Sequence, residues 1–188
     1  GSDMSPAPSR DEPPSPSPRA TGLLDAVASE LPAVTAADER TDDATAVPLD
    51  DLAALLSRVL ADEGAPSAAE ASLTLVDPAA IAQLKVEHLG GDGTATDVLS
   101  FPVDGVEADA ELIGDVVLCP SVAAAQASEH AGTVDDELAL LVVHGGLHLA
   151  GWDHASDPER VAMWDRERDL LTTLHGAPAR DPWGEQPS

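Results

Sequence analysis

The chain has 188 residues, with 35 Asp and Glu against nine Lys and Arg, one cysteine and a net charge of −26. That length holds one domain with a full core plus tails. A surface so acidic repels phosphate backbones, so charge alone argues against a nucleic-acid binder and gives no reason to expect a DNA partner. Cys119 stands alone, which excludes an internal disulfide and cysteine-based zinc sites; no run approaches the ~18 consecutive apolar residues of a membrane span, and a cytoplasmic protein with no membrane partner is expected.

Residues 1–45 are rich in Pro, Ser, Ala and Asp, with one short apolar patch around Leu23, Leu24 and Leu31. Such composition does not offset chain entropy, and a disordered extension is expected, its Gly1-Ser2 or Gly1–Asp3 reading as an expression scar before Met4. Beyond Pro48, Leu52, Leu55, Leu56, Val59 and Leu60 recur at helical spacing, with Asp50 and Asp51 near the start and Gly64 as the stop. Ser72–Val76 alternates as a strand, and Asp77-Pro78 opens a helix through Ile81 and Leu84. Gly90–Gly93 breaks the chain before a strand over Asp97–Pro102 and a third over Leu112–Cys119, whose apolar second half predicts burial on both faces. Pro120 starts a helix through Gln126. Thr133 and Asp136 have the spacing of a capping box opening a long helix to Ala150, and Ser156 with Glu159 repeats the device for a last helix from Pro158 to Leu174. Gly176 begins a Pro-rich tail, 176–188, expected to be disordered. The fold class is α+β, a small mixed β-sheet packed against several helices, over a domain of residues 46–175.

The chemistry concentrates in His144-Gly-Gly-Leu-His148-Leu-Ala-Gly-Trp-Asp-His154. A step of four residues puts His144 and His148 on one helix face, within reach of one metal ion. Gly151 can end the helix and let the chain turn His154 back toward the same ion. Three imidazoles with a vertex left open describe a catalytic zinc site, one ion per chain. A single histidine on an apolar face is more often a hydrogen-bonded core residue, but several neutral imidazoles crowded together without a shared partner leave polar nitrogens unsatisfied. Gly145 stands where a zinc-protease helix carries its Glu base, so a thermolysin-like mechanism lacks its base and protease activity is not expected. Gly145 and Gly146 inside a helix each cost about 1 kcal/mol relative to Ala, which implies close approach of another element or of a substrate. Asp153 is either a partner that orients an imidazole, a proton acceptor, or simply a turn residue. Asp97, Ser100 and Trp152 are candidate substrate-binding residues, with a structural hydrogen bond as the alternative for the first two.

The eleven-residue histidine motif resembles that of the YbeY family of bacterial metal-dependent endoribonucleases. Thr96-Asp97-Val98-Leu99-Ser100-Phe101-Pro102 and Gly114-Asp115-Val116 resemble the family's two strand motifs, in the expected order. The resemblance spans about Val47–His175. It implies zinc held by His144, His148 and His154, single-strand cleavage of ribosomal RNA in 16S 3′-end maturation and ribosome quality control, and partners among small-subunit ribosomal proteins and an Era-type GTPase. Three positions depart from the family pattern: Gly90 lies where an Arg is usual, with His88 as the nearby substitute, Ala95 replaces a Pro, and Trp152 replaces a common Tyr. A metal that lowers the pKa of water and offsets charge on a phosphoryl oxygen suits either direct attack on phosphorus or deprotonation of a ribose 2′-hydroxyl. The acidic surface leaves a second reading, a non-catalytic ribosome-assembly factor with a structural zinc that docks a basic ribosomal protein. A third is a zinc hydrolase of a small substrate.

Overall fold

The computed structural model describes residues 31–103 and 112–184. Residues 1–30 of the expected N-terminal extension and 185–188 of the expected tail lie outside them. Four strands, β1 (Ala33–Asp38), β2 (Glu70–Leu75), β3 (Val98–Pro102) and β4 (Leu112–Leu118), form one sheet in the order β1-β2-β4-β3. β1, β2 and β4 are parallel, and β3 runs antiparallel to β4. Five helices accompany them: α1 (Leu49–Asp62), α2 (Pro78–Leu89), α3 (Pro120–Ala127), α4 (Val134–Leu149) and α5 (Asp157–Leu174). The mixed α+β architecture matches the expectation.

Alternation along β4 explains the two cores. Val116 and Leu118 join Leu73 and Leu75 of β2 beneath α1 and α4, while Val117 and Cys119 join Ile81 of α2 and Leu99 of β3 on the opposite face. The second half of β4, covered on both faces, has no solvent side, hence its apolar run, whereas Leu112 and Asp115 nearer its start are exposed. α4 lies between sheet and helices, with Leu138, Val142, Val143 and Leu147 fully buried.

The paired glycines of α4 serve this packing. A Cβ on Gly145 would stand 2.9 Å from Val116 Cγ1 and 3.2 Å from Ser100 Oγ; one on Gly146 would stand 2.8 Å from Val59 Cγ1 and 3.0 Å from Leu56 Cδ1. Thus one glycine admits the sheet and the other admits α1. Gly146→Ala is expected to lower unfolding free energy by about 1–2 kcal/mol in urea titrations, overpacking outweighing the gain in helix propensity.

Three expectations are corrected. The boundary at residue 45 falls too late, because β1 pairs in register with β2 from Ala33↔Glu70 to Asp38↔Leu75, and Thr41 donates its backbone N–H and its hydroxyl to Asp77, at 2.8 and 2.7 Å. At the other end, residues 177–184 are docked rather than disordered: Arg180 N–H donates to the Ala131 carbonyl at 2.8 Å, and Trp183 is 5% exposed. At α4 only half a capping box forms. Thr133 Oγ1 accepts from Asp136 N–H at 3.1 Å, but the Asp136 carboxylate turns to His175 Nε2 at 2.8 Å and to Ala179 N–H at 2.9 Å. Burial raises the Asp136 pKa, but those bonds outweigh it and hold the carboxyl below its ordinary value. The second box, at Ser156 and Glu159, forms in full.

Candidate metal centre

Helix α4 carries His144 and His148 one turn apart, and it ends where Trp152 N–H donates to the Leu147 carbonyl at 3.0 Å. Gly151, at φ +106°, supplies the left-handed residue that turns the chain. The turn returns His154 to the helix end. Ring centroids lie 4.6 Å apart for His144 and His148, 4.9 Å for His148 and His154, and 5.5 Å for His144 and His154, and one nitrogen from each ring lies within 4.8 Å of the others.

Tautomers follow from the partners. His148 Nδ1 lies 3.0 Å from the Trp152 carbonyl, which only accepts, so Nδ1 carries the proton and Nε2 keeps its lone pair. His144 Nδ1 is paired with the buried Glu167 carboxylate, which fixes the same tautomer. The two Nε2 atoms then face each other at 3.1 Å. Two lone pairs at that distance repel unless a cation lies between them. A tetrahedral ion about 2.0–2.1 Å from each would set its donors about 3.3 Å apart, so the helical pair is close to preset, and the exposed loop residue His154 is the adjustable donor. Burial, and next the like charge of His144 and His154, lower the His148 pKa. A neutral ring is the form that binds a cation. The residues therefore fit a divalent metal, and three imidazoles suit zinc among several transition metals.

Over the histidines opens a cavity of about 630 Å³ lined by Ser100, His144, His148, Trp152, Asp153 and His154, with Leu89, Val98 and Pro102 at its margin. Ser100 hydroxyl donates to the Gly145 carbonyl at 3.3 Å. Trp152 Nε1 donates to Glu63 Oε1 at 2.7 Å, and Arg166 Nε donates to the other oxygen of Glu63 at 2.7 Å. Asp153 Oδ1 accepts the backbone N–H of His154 at 2.7 Å, shaping the turn that presents that ring.

Two sequence candidates are not brought to this cavity. His88 packs edge-on against Phe101, centroids 5.2 Å apart, and Phe101 packs on the core of the opposite sheet face. Asp97 is engaged by Gln126, whose Nε2 donates to Asp97 Oδ2 at 2.6 Å and to Glu137 Oε2 at 2.8 Å.

Sequence reasoning missed Glu167 and Glu137. Glu167 falls with Met163, Leu170 and Leu171 on the buried stripe of α5, and a carboxylate at such a position is a signal that it has a partner. Glu137 likewise precedes Leu140, Leu141 and His144 on one face of α4.

Comparison with known proteins gives one answer. The family described as endoribonuclease YbeY matches residues 37–175. A Micrococcus luteus protein of that name is 43% identical over 142 residues, covering 72% of this chain and 90% of the relative. One from Salinispora tropica is 39% identical over 146 residues, covering 71% and 92%. The solution structure of a Thermotoga maritima protein superposes with a TM-score of 0.53 at 27% identity, covering 81% of this chain and 90% of that one. With its three imidazoles converging under an open cavity and most of its length matched, the chain belongs to the YbeY endoribonuclease family.

Proposed function

We propose that this protein is a zinc-dependent, single-strand-specific endoribonuclease that matures the 3′ end of 16S ribosomal RNA and takes part in ribosome quality control. The observation that carries the reading is the facing pair of His144 and His148 Nε2 atoms, with His154 beside them, on the floor of an open cavity in a chain of this family. Among the described residues the cluster has three histidines and no fourth donor, which supports a catalytic rather than a structural ion.

His144, His148 and His154 hold the ion. When bound, it supplies a water of lowered pKa and offsets negative charge on a phosphoryl oxygen. Glu167 and the Trp152 carbonyl fix the two helical rings, so that little reorganisation accompanies each turnover. Trp152 offers a half-buried aromatic wall for an unpaired base, a contact a duplex withholds. Ser100 hydrogen-bonds substrate from the cavity wall. Asp153 is the one carboxylate among the described residues lining that cavity, and we assign it the proton of the attacking hydroxyl.

The net charge of −26 supports a division of labour. Phosphate contacts are supplied by other molecules, and basic small-subunit ribosomal proteins, together with an Era-type GTPase, bring the enzyme to its RNA in the cytoplasm. Among the described residues no helix is long and apolar enough to cross a membrane.

The test is cleavage of a labelled single-stranded RNA by purified full-length protein, first after chelation and then with zinc restored. Cutting is expected only with zinc, and a duplex of the same sequence should be spared. Equal cutting in chelator, or none with zinc bound, would overturn the proposal; the second outcome would favour the assembly-factor reading.

A further inference from the structure

The family match ends at residue 175, yet the segment beyond it reaches back to the metal centre. Its path is built in. Ala179 N–H is held by Asp136 at 2.9 Å and Arg180 N–H by the Ala131 carbonyl at 2.8 Å. Gly132, at φ +108°, has the segment so close that a Cβ there would stand 2.7 Å from Ala179 Cβ and 2.8 Å from Arg180 N. Trp183 is thereby buried against α5, with the Arg168 guanidinium 5.1 Å above its ring. Its indole Nε1 donates to Glu167 Oε1 at 3.2 Å. The other oxygen, Glu167 Oε2, pairs with His144 Nδ1. Glu167 is 3% exposed, so its two oxygens divide between the indole and the ligand imidazole.

We infer that Trp183 is a positioning residue for the metal centre, and that the segment 177–184 braces it. The chain Trp183–Glu167–His144 holds the carboxylate in one rotamer and so aims His144 Nε2 at the ion. A carboxylate that lost its indole donor would be freer to rotate, and the imidazole it orients would follow. Gln at 167 does not replace it: with its carbonyl on His144, its NH₂ group faces the indole N–H, donor against donor. The inference rests on the three histidines holding a metal.

The test is zinc affinity of full-length variants by competition with a chromophoric chelator, alongside the visible spectrum of the cobalt-substituted proteins. Trp183→Phe keeps the ring and removes the N–H; it is expected to weaken zinc binding about fivefold and to shift the cobalt bands. Glu167→Gln should weaken binding about 10- to 100-fold. Trp164→Phe is the control. Trp164 lines a cavity of about 220 Å³ together with Trp183, Glu167 and His144, and the variant, which also loses an indole N–H, should bind as the parent does. A second measurement needs no variant: the Trp183 indole proton should exchange slowly with solvent in the unsubstituted protein, and its NMR shift should move when zinc is added. Parent-like affinity in Trp183→Phe, equal weakening in Trp164→Phe, or an indole proton that exchanges freely and ignores zinc would overturn the inference. A parent protein that binds no zinc would instead overturn the metal reading itself.

Discussion

Replacing His148 by Ala is expected to lower single-strand RNA cleavage by more than about 100-fold while the fold persists, because a ligand should cost more than the 10- to 100-fold typical of an outer partner. His148 is the middle donor: its ring lies 4.6 Å from that of His144 and 4.9 Å from that of His154. Losing it leaves two donors on opposite sides of a gap. The fold should survive because the residue sits half-buried at the last turn of α4, and the core below depends on Leu147 and Val143. Gel assays of RNA cutting, with circular dichroism melting on the same samples, check both halves. Activity within tenfold of the parent would point to a contaminating nuclease or to a site elsewhere.

The largest stability effect is expected at Glu137, which is fully buried. Its carboxylate accepts Ala131 N–H at 3.0 Å and Gln126 Nε2 at 2.8 Å, and lies 2.8 Å from His130 Nδ1. Glu137→Ala would leave three polar groups without their acceptor and open a void at the start of the ligand helix. A loss of about 3–5 kcal/mol in urea unfolding is expected. Because Gln126 also holds Asp97, the strand start at Asp97–Val98 should loosen with it, seen as faster amide exchange in β3. A loss below about 1 kcal/mol would show that water replaces the carboxylate there.

The histidine trio was legible in the chain because its geometry is local: a helical step of four and one glycine turn define it. Helices and strands from Leu49 to Leu174 were legible from local signals as well: helical spacing in α1, a proline at the first turn of α2 and α3, side-chain caps at α4 and α5, and short apolar or alternating runs in the strands. β1 was not. Ala33–Asp38 has only Val34 and Thr35 as β-branched residues and sits among Pro and Asp, and it becomes a strand by pairing with β2 more than thirty residues away. Trp183 was passed over in the same manner, since a Pro-rich setting conceals a side chain that packs only after Gly132 admits the segment. Glu137 and Glu167 show a different limit. Periodicity ranks a carboxylate as solvent-facing, whereas these two lie on apolar stripes and are kept there by specific donors. The sequence offers His88 as a stand-in for the usual Arg at Gly90, but its ring packs on Phe101, which faces the core on the opposite side of the sheet from the histidines.

X-ray absorption of the zinc-loaded protein, with metal analysis of the same sample at neutral pH, tests the three-histidine centre most directly. One ion per chain, with three nitrogen donors near 2.0–2.1 Å and a fourth, exchangeable oxygen donor, is the predicted result. Loss of the ion on desalting, or a shell completed by a fourth protein ligand, would contradict it.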